Sequence, residues 1–265
     1  MPFTENAGTK IYWEEHGSGD PLLMIMGLGG CLEMWHRTMP VVTPHFRTIV
    51  FDNRGVGKSD VPPGPYPIPT MASDAIAVMN AAGIDKAHVY GISMGGIIAQ
   101  ELGLSYPERV RSLILGCTTH GGPAAVPAEP RVIEVLRKRD QMTVEEAIKA
   151  MTPFVYDAGT PQSELEIDID LRRRFPPPPQ GYNAQLQGIF AYESRSRLPQ
   201  IKCPTLVIHG ETDQLIPAQN GRMIAELIPG AKLVMLPNAS HIFMTDQPKA
   251  SSEAVLGFFG ISQQA

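Results

Sequence analysis

Four short apolar runs in the first 115 residues, each parted from the next by a stretch with helical spacing, constrain this chain more than any other feature. Residues 22–26, 48–51, 87–90 and 112–115 show little polar alternation, as expected of strands buried on both faces. Between them, helices are predicted over 32–42, over 71–82 with Ala75, Ile76, Met79 and Ala82 on one face, and over 94–106 with Ile97, Ile98 and Leu102. Alternating strands and helices of this kind make a mostly parallel sheet covered on both faces. Residues 10–13, ahead of Gly17 and Gly19, are expected to form an antiparallel hairpin with the run at 22–26, because the turn between them is short.

The same rhythm returns with a strand at 205–208, a helix at 217–228 with Pro217 in its first turn, a strand at 233–236, and a last helix carrying Val255, Phe258 and Phe259. From 118 to 198 the strand signals vanish. Thr143 and Glu146 form a capping box that opens a helix at 144–151, and further helices are predicted over 164–173 and 182–192. Pro176 to Pro179 is a stiff break between the last two. A structureless loop of roughly 80 residues would contradict a compact domain, so this stretch reads as an inserted helical cap. The expected division is residues 1–117 with 199–265 as the core, and 118–198 as the cap. There is no internal repeat, and the only low-complexity feature is Gln263-Gln264 near the end.

With 265 residues the chain can bury roughly 70–75% of its unfolded surface, enough for one large core. Its net charge of -5 argues against nucleic acid as a partner. The longest apolar stretch, residues 22–32, is interrupted by Gly27, Gly29 and Gly30 and falls short of the ~18 residues that a membrane span requires. No basic start followed by an apolar run marks a signal peptide, so the cytoplasm is the expected location. Cys31, Cys117 and Cys203 are far apart and form no CxxC, which favours reduced thiols over a zinc site or disulfide.

The chemistry centres on Gly91-Ile92-Ser93-Met94-Gly95, a GxSxG between a predicted strand and a predicted helix. Alone it is a weak signal in a chain with 25 glycines. On a strand-to-helix turn the two glycines permit a sharp bend that strains Ser93 and lifts its hydroxyl above the sheet. A serine hydroxyl needs an imidazole to take its proton and a carboxylate to orient that imidazole. Of seven histidines, His241 lies in the loop after the 233–236 strand and is the best base, whereas His209 ends a strand and reads as a core or loop residue. The loop after 205–208 offers Glu211 and Asp213. Asp213 is preferred, since it stands four residues before Pro217, too early to serve only as a helix cap. His209, Glu211 and Asp213 crowd one turn and are not expected to converge on a metal. Neither a metal nor a cofactor is expected.

The order Ser93, Asp213, His241, each in a loop after a strand, resembles that of the α/β-hydrolase superfamily. The resemblance covers nearly the whole chain. It includes Gly27-Leu28-Gly29-Gly30, Asp52-Asn-Arg-Gly-Val-Gly-Lys-Ser59, the Ser93 turn, Gly210-Glu-Thr-Asp213 and Ser240-His241. Stretches 59–66 and 198–204 are similar in style to the bacterial carboxylesterase and 3-oxoadipate enol-lactonase branch. The resemblance implies an eight-stranded sheet and an oxyanion hole from the backbone N–H groups of Leu28 and Met94, with Met94 at a helix start. Met26-Gly27 stands where the family often has His-Gly, so the bracing of that loop is an open point. It also implies that Asp52 and Arg54 brace the site and do not react.

The function expected is a cofactor-independent serine hydrolase of small carboxylic esters or lactones. Met26, Met151, Phe154, Tyr156, Phe190 and Tyr192 are expected to wall its pocket, while Met24, Met94 and Met244 read as core or pocket wall. A 3-oxoadipate enol-lactonase is the nearest alternative. Its substrate carries a carboxylate and calls for a cation in the cap, for which Arg131, Arg172, Arg173, Arg174, Arg195 and Arg197 are candidates. C–C bond hydrolysis, perhydrolysis and a slow-turnover ligand receptor of the same fold stay open. Dehalogenases and epoxide hydrolases of this fold are disfavoured, because they need an aspartate where Ser93 stands.

Overall fold

The computed structural model describes residues 3–261, and the Gln263-Gln264 end lies outside them. Its framework is an eight-stranded sheet in the order β1-β2-β4-β3-β5-β6-β7-β8. The strands are β1 (Phe3–Asn6), β2 (Thr9–His16), β3 (Asp20–Ile25), β4 (Phe46–Phe51), β5 (Ala87–Ile92), β6 (Val110–Gly116), β7 (Thr205–Gly210) and β8 (Lys232–Leu236). All neighbouring pairs from β4 to β8 are parallel; β1 with β2 and β2 with β4 are antiparallel.

Helices α1 (Met39–Val42), α2 (Ile68–Ala81) and α3 (Met94–Ser105) belong to the first half, and α8 (Gln219–Leu227), α9 (Phe243–Asp246) and α10 (Pro248–Phe258) to the last part. Between β6 and β7 lie α4 (Pro130–Lys138), α5 (Val144–Val155), α6 (Gln162–Arg174) and α7 (Pro179–Phe190). Period-two alternation divides the core. Leu23, Ile25, Ile49, Val89, Leu113 and Val207 pack with α2, α3 and α8, whereas Leu22, Met24, Val50, Tyr90, Ile114 and Leu206 meet α1, Phe243 and Val255 on the other face. No helix among the described residues is long and apolar enough to cross a membrane.

The expected hairpin between residues 10–13 and the run at 22–26 does not form. β2 pairs instead with β1 and β4, and β4 separates it from β3. Burial explains the exchange: β3 is buried at its last four positions and needs a strand on each side, while half-exposed β2 tolerates a place near the edge. The helix predicted over 32–42 is likewise broken into a 3-10 turn, Leu32–Trp35, and α1, where Pro40 lacks the N–H that a continuous helix would use. Pro217 precedes α8, which starts at Gln219, and its carbonyl accepts the Asn220 backbone N–H at 2.9 Å. The capping box is present, with Thr143 Oγ1 accepting from the Glu146 N–H at 3.3 Å and a Glu146 carboxylate oxygen accepting from the Thr143 N–H at 2.8 Å.

Candidate active site

Ser93 stands between the end of β5 and the start of α3 with φ 55° and ψ -120°, a conformation rarely adopted by a residue with a Cβ. The bend is tight: a Cβ on Gly91 would collide with the Gly95 carbonyl, and one on Gly95 with the Ile25 carbonyl. Hydrogen bonds hold the strained residue on both sides. The Ser93 N–H donates to Gly116 O at 2.8 Å, and Ser93 O accepts from Thr118 Oγ1 at 2.7 Å and from the Gly96 N–H at 2.9 Å.

His241 Nδ1 lies 2.8 Å from Asp213 Oδ2, both side chains being buried. Burial alone would raise the Asp213 carboxyl, but His241 and His209 outweigh it and hold the group below its usual range. An ionised carboxylate can only accept, so His241 Nδ1 carries the proton and Nε2 is left free to take one. Asp213 Oδ1 is itself fixed by the backbone N–H groups of Leu215 and Ile216, at 2.9 and 2.8 Å. His209 Nε2 also reaches Asp213 Oδ2, at 3.2 Å, and Ile216 O at 2.8 Å. Sequence reading took His209 for a core or loop residue, and it is indeed buried; its contact with Asp213 was signalled only by the spacing of four residues. Glu211 is exposed and takes no part in these bonds.

Ser93 and His241 line one cavity of about 140 Å³ together with Met26, Leu28, Cys117 and Met244 from the sheet side. Among the described residues no hydrogen bond joins Ser93 Oγ to His241, a bond that commonly tightens only when substrate arrives. Cys117 offers no rival nucleophile: burial, and then the Asp213 charge, push its thiol well up, so it stays protonated. The other methionines named from sequence, Met24 and Met94, are core residues.

The loop holding Leu28 is braced by groups that the sequence did not reveal. Gly30 N–H donates to Gly27 O at 3.1 Å, Asn53 Nδ2 donates to Met26 O at 3.0 Å, and Gly29 N–H donates to Gln185 Oε1 of α7 at 2.9 Å. Gln185 Nε2 in turn donates to Arg54 O at 2.8 Å, tying this loop to the one after β4. A Cβ on Gly27 would lie 3.0 Å from Ser93 Cβ, so the loop passes directly beside the serine. Asp52 and Arg54 are not paired with each other. Asp52 accepts the N–H groups of Leu32 and Lys58, each at 2.8 Å, and Arg54 makes a buried two-point contact with Asp74 at 2.6 Å.

From the helical side the cavity is walled by α5 through Ala147, Ile148, Met151, Thr152 and Val155, and by Tyr156, Arg139, Arg172 and Tyr182. Met26, Met151 and Tyr156 thus stand where sequence placed them, whereas Phe154, Phe190 and Tyr192 do not line it. Phe154 lies roughly a quarter-turn round α5 from the middle of the lining stripe, just past its Ala147 edge, and packs under the Arg131 guanidinium, 5.3 Å away. Phe190, at the end of α7, is 53% exposed. Tyr192 is buried on the other side, where its hydroxyl donates to Glu101 Oε2 of α3 at 2.7 Å.

The family model described as alpha/beta hydrolase fold matches residues 20–248. RutD of Azorhizobium caulinodans, a proposed carbamate hydrolase, is 32% identical over 98% of this chain and 98% of its own. Among solved structures, the enol-lactonase of Burkholderia xenovorans is 27% identical with a TM-score of 0.88, over 98% of this chain and 100% of its own. An esterase of Exiguobacterium antarcticum is 26% identical with a TM-score of 0.88, covering 97% and 98% of the two chains.

Proposed function

Because this chain belongs to the alpha/beta hydrolase fold family, we propose that it is a serine hydrolase cleaving small carboxylic esters or lactones through an acyl-enzyme. The observation that carries this reading is the strained Ser93 in one cavity with His241, whose Nδ1 is held by buried, ionised Asp213. Ser93 Oγ attacks the carbonyl carbon while His241 Nε2 takes its proton. Negative charge gathers on the former carbonyl oxygen, and the N–H groups of Leu28 and Met94 receive it; one such donor is commonly worth ~2.7–4 kcal/mol of barrier lowering. His241 then protonates the departing alkoxide, and water, activated by the same imidazole, frees the acid. Carbamates, enol-lactones and esters, named for the relatives above, all yield to this sequence.

We also propose that residues 118–198 act as a lid over the cavity, a unit closed at its base by the bridge between Gly121 and Glu193. Ethyl and p-nitrophenyl esters of graded acyl length, with an enol-lactone beside them, test the reading. Multiple turnover that falls by several orders of magnitude in Ser93→Ala and Asp213→Asn, but only slightly in Glu211→Gln, is expected. A Ser93→Ala enzyme keeping more than about a tenth of the activity would refute the nucleophile. Single labelling without turnover would favour a receptor.

A further inference from the structure

Three arginines and one aspartate stand among the residues lining the cavity: Arg37, Arg139, Arg172 and Asp168. Asp168 is already engaged. Arg37 approaches it at 3.1 Å and also binds Glu164 at 2.7 Å, while Asp168 accepts from Thr245 Oγ1 at 2.6 Å and from the Tyr156 hydroxyl at 3.1 Å. His36 Nε2 lies 3.2 Å from it as well. Arg139 and Arg172 are different. Among the described residues neither has a carboxylate within salt-bridge distance, although Arg131, Arg173, Arg174 and Arg197, facing outward, each do.

Their close neighbours are aromatic: the Arg139 guanidinium lies 4.6 Å from the centroid of the Tyr182 ring, and Arg172 adjoins Tyr156 and also feels the charge of Asp168. Both guanidinium groups belong to the lining of the same cavity. Burial lowers Arg139, and the positive charge of Arg172 pushes it the same way. Partly buried cations are ordinarily matched by anions, and three arginines against the single carboxylate of Asp168 leave the cavity lining with an excess of positive charge that an anion would match. A guanidinium pair favours a planar, two-oxygen partner.

Resting on the serine-hydrolase reading, we propose that Arg139 and Arg172 bind a free carboxylate of the substrate. The acyl donor is then a half-ester, lactone or carbamate with an acid group remote from the scissile carbonyl. From a half-ester the neutral alcohol leaves and water releases a dicarboxylate; a lactone keeps its freed hydroxyl on the dicarboxylate, and a carbamate loses its alcohol and yields a carbamic acid, which breaks down to an amine and carbon dioxide. Arg172 stood among the sequence candidates without a reason to prefer it; Arg139, at the end of α4, was not among them.

The monoethyl esters of succinate, glutarate and adipate, compared with ethyl butanoate, pentanoate and hexanoate, test this by ethanol release. For at least one pair the acid should exceed its neutral counterpart tenfold or more in kcat/KM, and added salt should shrink that ratio. Arg139→Gln and Arg172→Gln should each lower the ratio of acid to neutral-ester kcat/KM at least tenfold, mainly through the KM of the acid. Arg172→Lys should recover part of the loss. Equal rates on acid and neutral esters, or equal losses on both in the variants, would overturn the proposal while leaving the serine chemistry standing. If no ester is turned over, the serine reading fails separately. Calorimetry of succinate, glutarate and adipate binding to Ser93→Ala protein, with and without Arg172→Gln, then decides the subsite: binding lost in the double variant upholds it, and no binding overturns it.

Discussion

Ser93 concentrates the conflict between local preference and function. Its φ of 55° is held by bonds to Gly116, Thr118 and Gly96, and residues kept in such regions carry of order 1–3 kcal/mol of strain. Glycine adopts this conformation freely, so Ser93→Gly should be inactive yet more stable than Ser93→Ala by about 1 kcal/mol in urea unfolding. If alanine were the more stable, the backbone there would not be strained. Asp213 is the complementary case, a carboxylate whose set of donors is complete: two histidine N–H groups on Oδ2 and two backbone N–H groups on Oδ1. Its depressed carboxyl contributes stability above the unfolded value of 3.8, and that contribution disappears as pH falls through the folded value.

Single elements serve the site from a distance. On α7, Gln185 joins Gly29 N–H to Arg54 O, so Gln185→Leu leaves a partly buried N–H and a buried carbonyl without partners and loosens the loop of Leu28. Expected are a loss of about 2 kcal/mol in stability and roughly tenfold in kcat on every ester alike, with KM unchanged. A change confined to KM would make Gln185 a pocket residue instead. The loop after β4 holds Asp52, whose carboxyl burial pushes up to about 6 in spite of two N–H donors. Between 3.8 and that value the folded chain holds more protons than the unfolded one, so stability falls as pH rises through this window, by about 3 kcal/mol in all. Unfolding measured from pH 4 to 7.5 should show that fall in the wild type, and Asp52→Asn should flatten it. On α5 the lining stripe predicts that Met151→Ala shifts preference to longer acyl chains, while Phe190→Ala on α7 changes neither rate nor ranking. Hydrolysis across the ester series checks both.

At the scale of the whole molecule, a cavity of about 140 Å³ approaches the size that holds a benzene ring, which suits short acyl groups. Residues between β6 and β7 also hold the loops of the site: Ile242 N–H donates to Val155 O at 2.8 Å and Thr212 Oγ1 to Asp157 Oδ2 at 2.7 Å, which ties them to the loops carrying His241 and Asp213. Much was legible in sequence. Buried strands, capped helices and the turn around Ser93 follow from residue type and spacing over a few positions, which is also why the order Ser93, Asp213, His241 could be read from loops after strands. Strand neighbours could not be read, because β2 and β3 are consecutive in the chain but β4 lies between them. The same holds for side chains brought together from afar. Gln185 reaches Gly29 across 156 positions, and Phe154 and Tyr192 face away from the cavity through helix phase and packing that composition does not encode. Residue chemistry and local period determined the elements and the reactive groups. Which elements touch, and therefore which cations line the cavity, was decided only when the long-range contacts closed, since burial and hydrogen-bond satisfaction depend on neighbours far apart in sequence.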